Sequence, residues 1–215
     1  MKVAGLVVGT RKAATTWVYA NLQKDARFCT SGKVKESGFF AGTTGLNFGE
    51  YCDLYASRNG QYCVEVDASV CYAKDCVDRI NRYAPSAKVI LILRNPVDYL
   101  VSRYIHSRRK GELSAKTIAE AIAGATWLRD ELDYPRIVSR LAQLGEERLL
   151  LLRYESLSSN KLAFMQKVVK HLTNGKETID SVLVVEKQNV ARESKLPRVS
   201  RCLSSAAKLA RSYQL

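Results

Sequence analysis

Residues 88–93 read Lys-Val-Ile-Leu-Ile-Leu and stop at Arg94-Asn95-Pro96. A run that is apolar at nearly every step, and too short for a buried helix, is a strand covered on both faces. Such a strand needs parallel neighbours and helices on both sides of the sheet, which fixes the class of fold before any other residue is considered. The rest of the chain has the matching pieces. Val3–Gly9 is a second apolar run ending in glycine, residues 148–152 are a third, and residues 62–67 alternate like a strand. Residues 33–40 are expected to form a further strand, leading into a glycine-rich loop over residues 39–49. Helices are expected at 15–24, where Val18 and Leu22 are spaced i, i+4, and at 73–83, 115–132, 136–144 and 161–172. After Pro96, tolerated in a first helical turn, Val97, Leu100, Val101, Tyr104 and Ile105 make one apolar face. Residues 198–213 form a basic amphipathic segment. The prediction is an α/β fold with a central parallel sheet flanked by helices, in one domain over residues 1–215.

Charge narrows the ligand. Lys and Arg number 34 against 21 Asp and Glu, a formal charge of +13 spread along the chain rather than massed in a tail. That excess points to anions: nucleic acid, an acidic membrane surface or a polyanionic small molecule. Signatures of the common nucleic-acid modules are missing, so no nucleic-acid partner is expected. No apolar run approaches the ~18–20 residues that a spanning helix needs. The run from Val3 to Val8 is too short, and too soon followed by Arg11-Lys12, for a secretory signal, so a cytoplasmic location is expected. Six cysteines without a CxxC pair suggest reduced thiols, and with His106 and His171 the only histidines no metal is expected.

The segment Gly9-Thr10-Arg11-Lys12-Ala13-Ala14-Thr15-Thr16 joins a buried strand to a helix. Backbone N–H groups and a helix N-terminus form an anion cradle at such a junction, which makes the expected architecture a three-layer, P-loop-NTPase-like one. The spacing is near that of a Walker A loop, but Ala14 takes the place of the second glycine and Thr15 that of the lysine, while a lysine stands earlier, at Lys12. The strand at 88–93 ends in Arg94 rather than in a carboxylate for Mg²⁺, so the equipment suits a phosphorylated donor without a metal better than ATP hydrolysis.

The segment Val-Val-Gly-Thr-Arg-Lys-Ala-Ala-Thr-Thr-Trp-Val at 7–18 resembles the 5′-phosphosulfate loop of sulfotransferases that use 3′-phosphoadenosine 5′-phosphosulfate (PAPS). Residues 88–104, with Arg94-Asn95-Pro96, Ser102 and Tyr104, resemble the 3′-phosphate motif of the same family. Lys35-Glu36 before Phe39-Phe40, and residues 152–157, are similar to two of its further elements, in family order.

The resemblance implies transfer of a sulfuryl group from PAPS to an acceptor hydroxyl (of a saccharide, lipid or secondary metabolite, possibly anionic) by in-line displacement, leaving 3′-phosphoadenosine 5′-phosphate (PAP). Lys12 would contact the transferring group and the leaving oxygen. The loop from Arg11 through Ala13, Ala14, Thr15 and Thr16 would hold the 5′-phosphate, and Arg94 with Ser102 the 3′-phosphate. Glu36 matches the carboxylate that activates the acceptor in one branch of the family. Lys35 would orient acceptor or sulfate, and Asp67 is a second choice of base or acceptor contact. Trp17 and Tyr104 are expected in the core, and His106, beyond Ser102 on the same helix, at its edge. Residues 188–200, with Lys195 and Arg198, are the candidate for a loop closing over the nucleotide. Ala14 is expected to narrow the loop or to require a negative φ there. Two other readings stay open: a nucleotide- or polyanion-binding module without turnover, and a P-loop nucleotide kinase.

Overall fold

The computed structural model describes residues 2–32, 34–55 and 60–179. Five parallel strands form one sheet: β1 (Val3–Gly9), β2 (Phe28–Cys29), β3 (Tyr62–Val66), β4 (Lys88–Leu93) and β5 (Leu149–Arg153), in the spatial order β2-β3-β1-β4-β5. The chain leaves β1 toward one edge, returns through β3 and then crosses to β4 on the other side of β1. Connections therefore diverge at the carboxyl end of the central strands, which is where open α/β sheets form their ligand crevice.

Alternation along the strands sorts the core into two layers. Leu6, Val8, Val89 and Leu91 face one way, against Phe39, Phe40, Tyr51, Ile80, Ile137 and Leu141. These come from a short loop-borne helix α2 (Phe48–Cys52), from α3 (Cys76–Tyr83), from α7 (Tyr134–Ala142) and from the loop before α2. Val7, Val64, Val66, Ile90 and Ile92 face the other way, against Trp17, Val18 and Leu22 of α1 (Thr15–Lys24) and Phe164, Met165, Val168 and Val169 of α9 (Lys161–Leu172). Each such side chain, fully buried, contributes about 1.5–3 kcal/mol. Helix α9 lies so close to β1 that a Cβ at Gly5 would lie 2.2 Å from Leu172 Cδ2, so a larger residue at 5 requires the Leu172 side chain to move.

Beyond the sheet, α4 (Pro96–Arg109), α5 (Ile118–Gly124) and α6 (Thr126–Leu132) enclose a smaller cluster built on Tyr104, Ala121, Ala125 and Leu128. Asn95 caps α4, its side chain accepting from the N–H groups of Val97 and Asp98, with Pro96 in the first turn. A 3₁₀ turn (Val70–Tyr72) and α8 (Tyr154–Ser159) complete the described elements. Cys29, Cys52, Cys63, Cys71 and Cys76 are free thiols. No described helix is long and apolar enough to cross a membrane.

Three expectations change. Residues 34–40 form no strand; Gly38, at φ 72°, turns the chain, and the N–H groups of Ser37 and Gly38 donate to the carboxylates of Glu65 and Asp67 instead of to a strand. The strand paired with β3 lies earlier, at Phe28–Cys29. The helix expected over 115–132 is two helices meeting at Ala125, whose φ of −103° and ψ of 94° are extended, and α3 begins only at Cys76, after the 3₁₀ turn. Residues 188–200 and 198–213 lie outside the described residues.

Candidate active site

A cleft of about 1220 Å³ opens over the carboxyl ends of β1 and β4. Its floor is the β1–α1 loop. Thr10 hooks that loop to β4, its N–H and hydroxyl both donating to the Ile92 carbonyl, at 2.7 and 3.0 Å. Gly9 has φ 148°, and a Cβ there would lie 2.4 Å from Cys71 Sγ, so the sharp exit from β1 needs glycine. Lys12 and Ala14 are both left-handed, at φ 61° and 64°, so Ala14 takes the positive φ expected to be closed to it. Positive φ at Lys12 and Ala14, on either side of Ala13, is a backbone pattern found in anion nests. The Ala13 N–H is drawn back to the Thr10 carbonyl at 3.3 Å, and its methyl is buried. Helix α1 starts next with no side-chain cap at Ala14, so the first-turn N–H groups of Thr15 and Thr16 lack intrahelical acceptors, and both residues line the cleft at the positive end of the helix.

Arg94 extends from the end of β4 across this loop. Its Nη1 donates to the Lys12 carbonyl at 2.8 Å and its guanidinium stacks on Tyr154 at 4.5 Å. Arg94 Nε is buried and has no hydrogen-bond partner among the described residues. Lys12 has no ion-pair partner among them either. Burial first, and then the charges of Arg94, Arg103, Arg109 and Lys110, hold its ammonium below the ordinary lysine value. Ser102 lies on α4, two turns in, and lines the cleft with both.

Lys35 and Glu36 reach the same cleft from the segment before Gly38, paired with each other at 2.5 Å, and Glu36 is exposed. Asp67 does not reach it. It is 1% exposed; Oδ2 accepts from the Gly38 N–H at 3.0 Å, and Oδ1 from the Ser69 N–H and hydroxyl at 2.8 and 2.5 Å. Glu65 acts beside it, accepting from the Ser37 N–H at 3.2 Å and from the Tyr55 hydroxyl, and burial pushes its carboxyl up. The two buried carboxylates thus hold the turn that carries Lys35 and Glu36. Trp17 is buried against Phe164, though its edge lines the cleft, and Tyr104 is in the core.

Several lining residues were not among the expected set: Arg103, Lys110, Glu112, Trp127, Glu131, Tyr154 and Lys161. Arg103 follows Ser102 directly, about 100° round the helix, so helical spacing from Ser102 does not mark it. His106, one turn beyond Ser102, also lines the cleft; burial first, then Lys12, Lys110 and Arg103, lower its affinity for a proton. Glu131 and Trp127 sit on a helix with no motif, and nothing in the sequence marked them. Among the described residues no group of His, Cys, Asp and Glu is arranged to hold a metal ion.

A family model described as the sulfotransferase family matches residues 55–174, more than half of the chain. The chain belongs to the sulfotransferase family. The matched residues include β4, Arg94 and Ser102, while the β1–α1 loop precedes them. Solved structures extend the likeness of fold to nearly the whole sulfotransferase chain. A sulfotransferase from Alicyclobacillus acidocaldarius is 18% identical, covers 98% of this chain and 94% of its own, and superposes with a TM-score of 0.74. The sulfotransferase domain from the curacin biosynthetic pathway is 12% identical over 96% of this chain and 98% of its own, with a TM-score of 0.58. That of the Synechococcus PCC 7002 olefin synthase is 14% identical over 96% and 94%, at 0.53. Comparison with curated proteins gives no match. The three-layer, P-loop-like architecture expected from sequence is thus the architecture of this sulfotransferase.

Proposed function

We propose that the cleft binds PAPS and transfers its sulfuryl group to an acceptor hydroxyl. The observation that carries this reading is the juxtaposition of Lys12, without a counter-ion among the described residues, with a left-handed loop, an uncapped helix N-terminus and Arg94 in one cleft. A lysine ammonium, a helix N-terminus and a guanidinium brought together in one cleft suit a ligand that carries more than one anionic group. The N–H groups of Ala14, Thr15 and Thr16, with the two threonine hydroxyls, hold the 5′-phosphate. Arg94 and Ser102 hold the 3′-phosphate.

Transfer forms a bond from the acceptor oxygen to sulfur as the bond from sulfur to the bridging oxygen of the 5′-phosphate breaks. Negative charge grows on that bridging oxygen, and the Lys12 ammonium stabilises it; such preorganised charge is worth about 10²–10³ in rate. The acceptor hydroxyl proton passes to Glu36, and Lys35 orients Glu36 and the acceptor. Asp67, with its oxygens already occupied, acts behind this pair by holding the turn at Gly38.

The test is calorimetric titration of PAP and of ATP, each with and without Mg²⁺, on the wild-type chain and on Arg94→Ala. Metal-independent binding of PAP that weakens in the variant is expected. Binding of ATP only with Mg²⁺ would favour a kinase, and PAP binding without turnover on a broad panel of hydroxyl acceptors would favour a binding module.

A further inference from the structure

One buried carboxylate on the cleft wall has no part in the mechanism above. Glu131, on α6, is 5% exposed and its carboxylate is shared by two guanidinium groups. Its Oε1 accepts from Arg11 Nη1 at 2.5 Å and from Arg103 Nη2 at 3.3 Å. Its Oε2 accepts from Arg103 Nε at 2.8 Å and from the Tyr99 hydroxyl at 2.5 Å. The network then runs back to the loop. The Tyr99 hydroxyl shares a hydrogen bond with that of Tyr72 at 3.3 Å, and the Tyr72 oxygen accepts from the Arg11 main-chain N–H at 3.2 Å. The Arg11 guanidinium also lies over the Tyr72 ring, at 4.9 Å.

Arg11 is therefore held at both ends, by its main-chain nitrogen and by the tip of its side chain. The residue that follows it is Lys12, a bulky side chain at φ 61°. A non-glycine residue persists in that conformation only where its surroundings over-determine it, and the Arg11 anchor is the constraint immediately upstream. The Arg11 side chain, expected from sequence to bind the donor, is thereby engaged by the protein itself.

We propose that Glu131 is a positioning residue for the donor loop, which acts through Arg11 to hold Lys12 in the conformation that sends its ammonium into the cleft. The inference rests on the donor-binding reading above, since that reading defines what Lys12 does. It differs in sign from a purely electrostatic role. Removing a negative charge from a cationic cleft would, by field alone, tighten the binding of an anion. Loss of position weakens it.

The experiment is PAP titration by calorimetry at fixed salt on the wild type, Glu131→Gln, Arg11→Ala and the double variant, with circular dichroism and melting temperature recorded for each. Glu131→Gln is expected to bind PAP about tenfold more weakly, and to add little once Arg11 is gone, because residues that act through one link are non-additive. Unchanged or tighter binding in Glu131→Gln, or effects that add in full, would overturn the proposal. Should Glu131→Gln fail to fold, Tyr72→Phe removes only the hydroxyl that holds the Arg11 main chain. A several-fold loss of PAP affinity is then expected, and no loss overturns the idea. A wild type that binds no PAP removes the donor reading and this inference together; a wild type that binds PAP beside unaffected variants removes this inference alone.

Discussion

The two sides of the cleft handle charge in opposite ways. Where β1 and β4 end, Lys12 has no counter-ion among the described residues and Arg94 keeps a buried nitrogen without a partner. On the α4–α6 side, Arg103 pairs with Glu131 and Glu112, and Arg11 with Glu131. The segment before Gly38 follows the second pattern, with Lys35 on Glu36. Leaving a buried cation unpaired costs free energy, so it marks a place completed by a ligand, whereas a paired cation is part of the wall. The number of cations in the cleft is therefore a poor guide to the charge of its ligand; which of them lack partners is the better one.

Lys12→Ala tests the unpaired side most severely. PAP formation from PAPS in the presence of acceptor should fall by about 10²–10³, with a smaller loss of PAP affinity. Glu36→Gln should lower turnover by about 10²-fold and leave PAP affinity unchanged, which separates the acceptor side from the donor side in one assay. Arg94→Ala should weaken PAP by about tenfold or more, the value of a charge-assisted hydrogen bond of about 1.5–3 kcal/mol, with a modest fall in melting temperature from loss of its bond to the Lys12 carbonyl and its stacking on Tyr154. Asp67→Asn should do the reverse, costing about 1–2 kcal/mol of stability in denaturant titration with PAP affinity intact, since its partners are the protein's own N–H groups and the Ser69 hydroxyl.

Two smaller effects sharpen the contrast. The Lys12 ammonium is held below the ordinary lysine value, so the folded protein gives up this proton before the unfolded chain does. Between the lowered value and the ordinary one the unfolded state binds more protons, and this group's contribution makes stability rise with pH there. Bound PAP should reverse the shift. Proton uptake on binding, seen as a buffer-dependent enthalpy on the alkaline side of neutrality, is expected in the wild type and absent in Lys12→Ala. Finally, Ala14→Gly relieves a left-handed alanine worth about 1–2 kcal/mol but frees the unfolded chain by about 0.4–1 kcal/mol, for a net gain of roughly 0.5–1 kcal/mol.

What the sequence made legible follows from how far each signal reaches. β1, β4 and the start of α4 were plain because their cues are local: unbroken apolar runs, and Asn95-Pro96 at a helix start. The loop residues and Arg94 could be placed at the cleft because each stands at or just beyond a strand end. Residues 33–40 misled because Val34 and the two phenylalanines mimic a strand, while the turn at Gly38 is made by Glu65 and Asp67, some 28–29 residues away. β2 is only two residues long and carries no periodicity. The break at Ala125 does have a local cue, Gly124 at the end of α5, but the apolar spacing that continues on both sides of it masks that cue. Glu131 was invisible for the same reason as its importance: its partners Arg11 and Arg103 lie 120 and 28 residues away, and a lone glutamate in a helix looks like any solvated charge.

The strand order has one more consequence. β1 is paired on both flanks, with β3 and with β4, while β2 and β5 are the margins of the sheet. Proteins open from their least supported segments inward, so the amides of β1 should be among the last to exchange with deuterated solvent and those of β2 and β5 among the first. The loop proposed to bind the donor is thus mounted on the strand expected to open last, and transient fraying at either margin leaves its footing undisturbed.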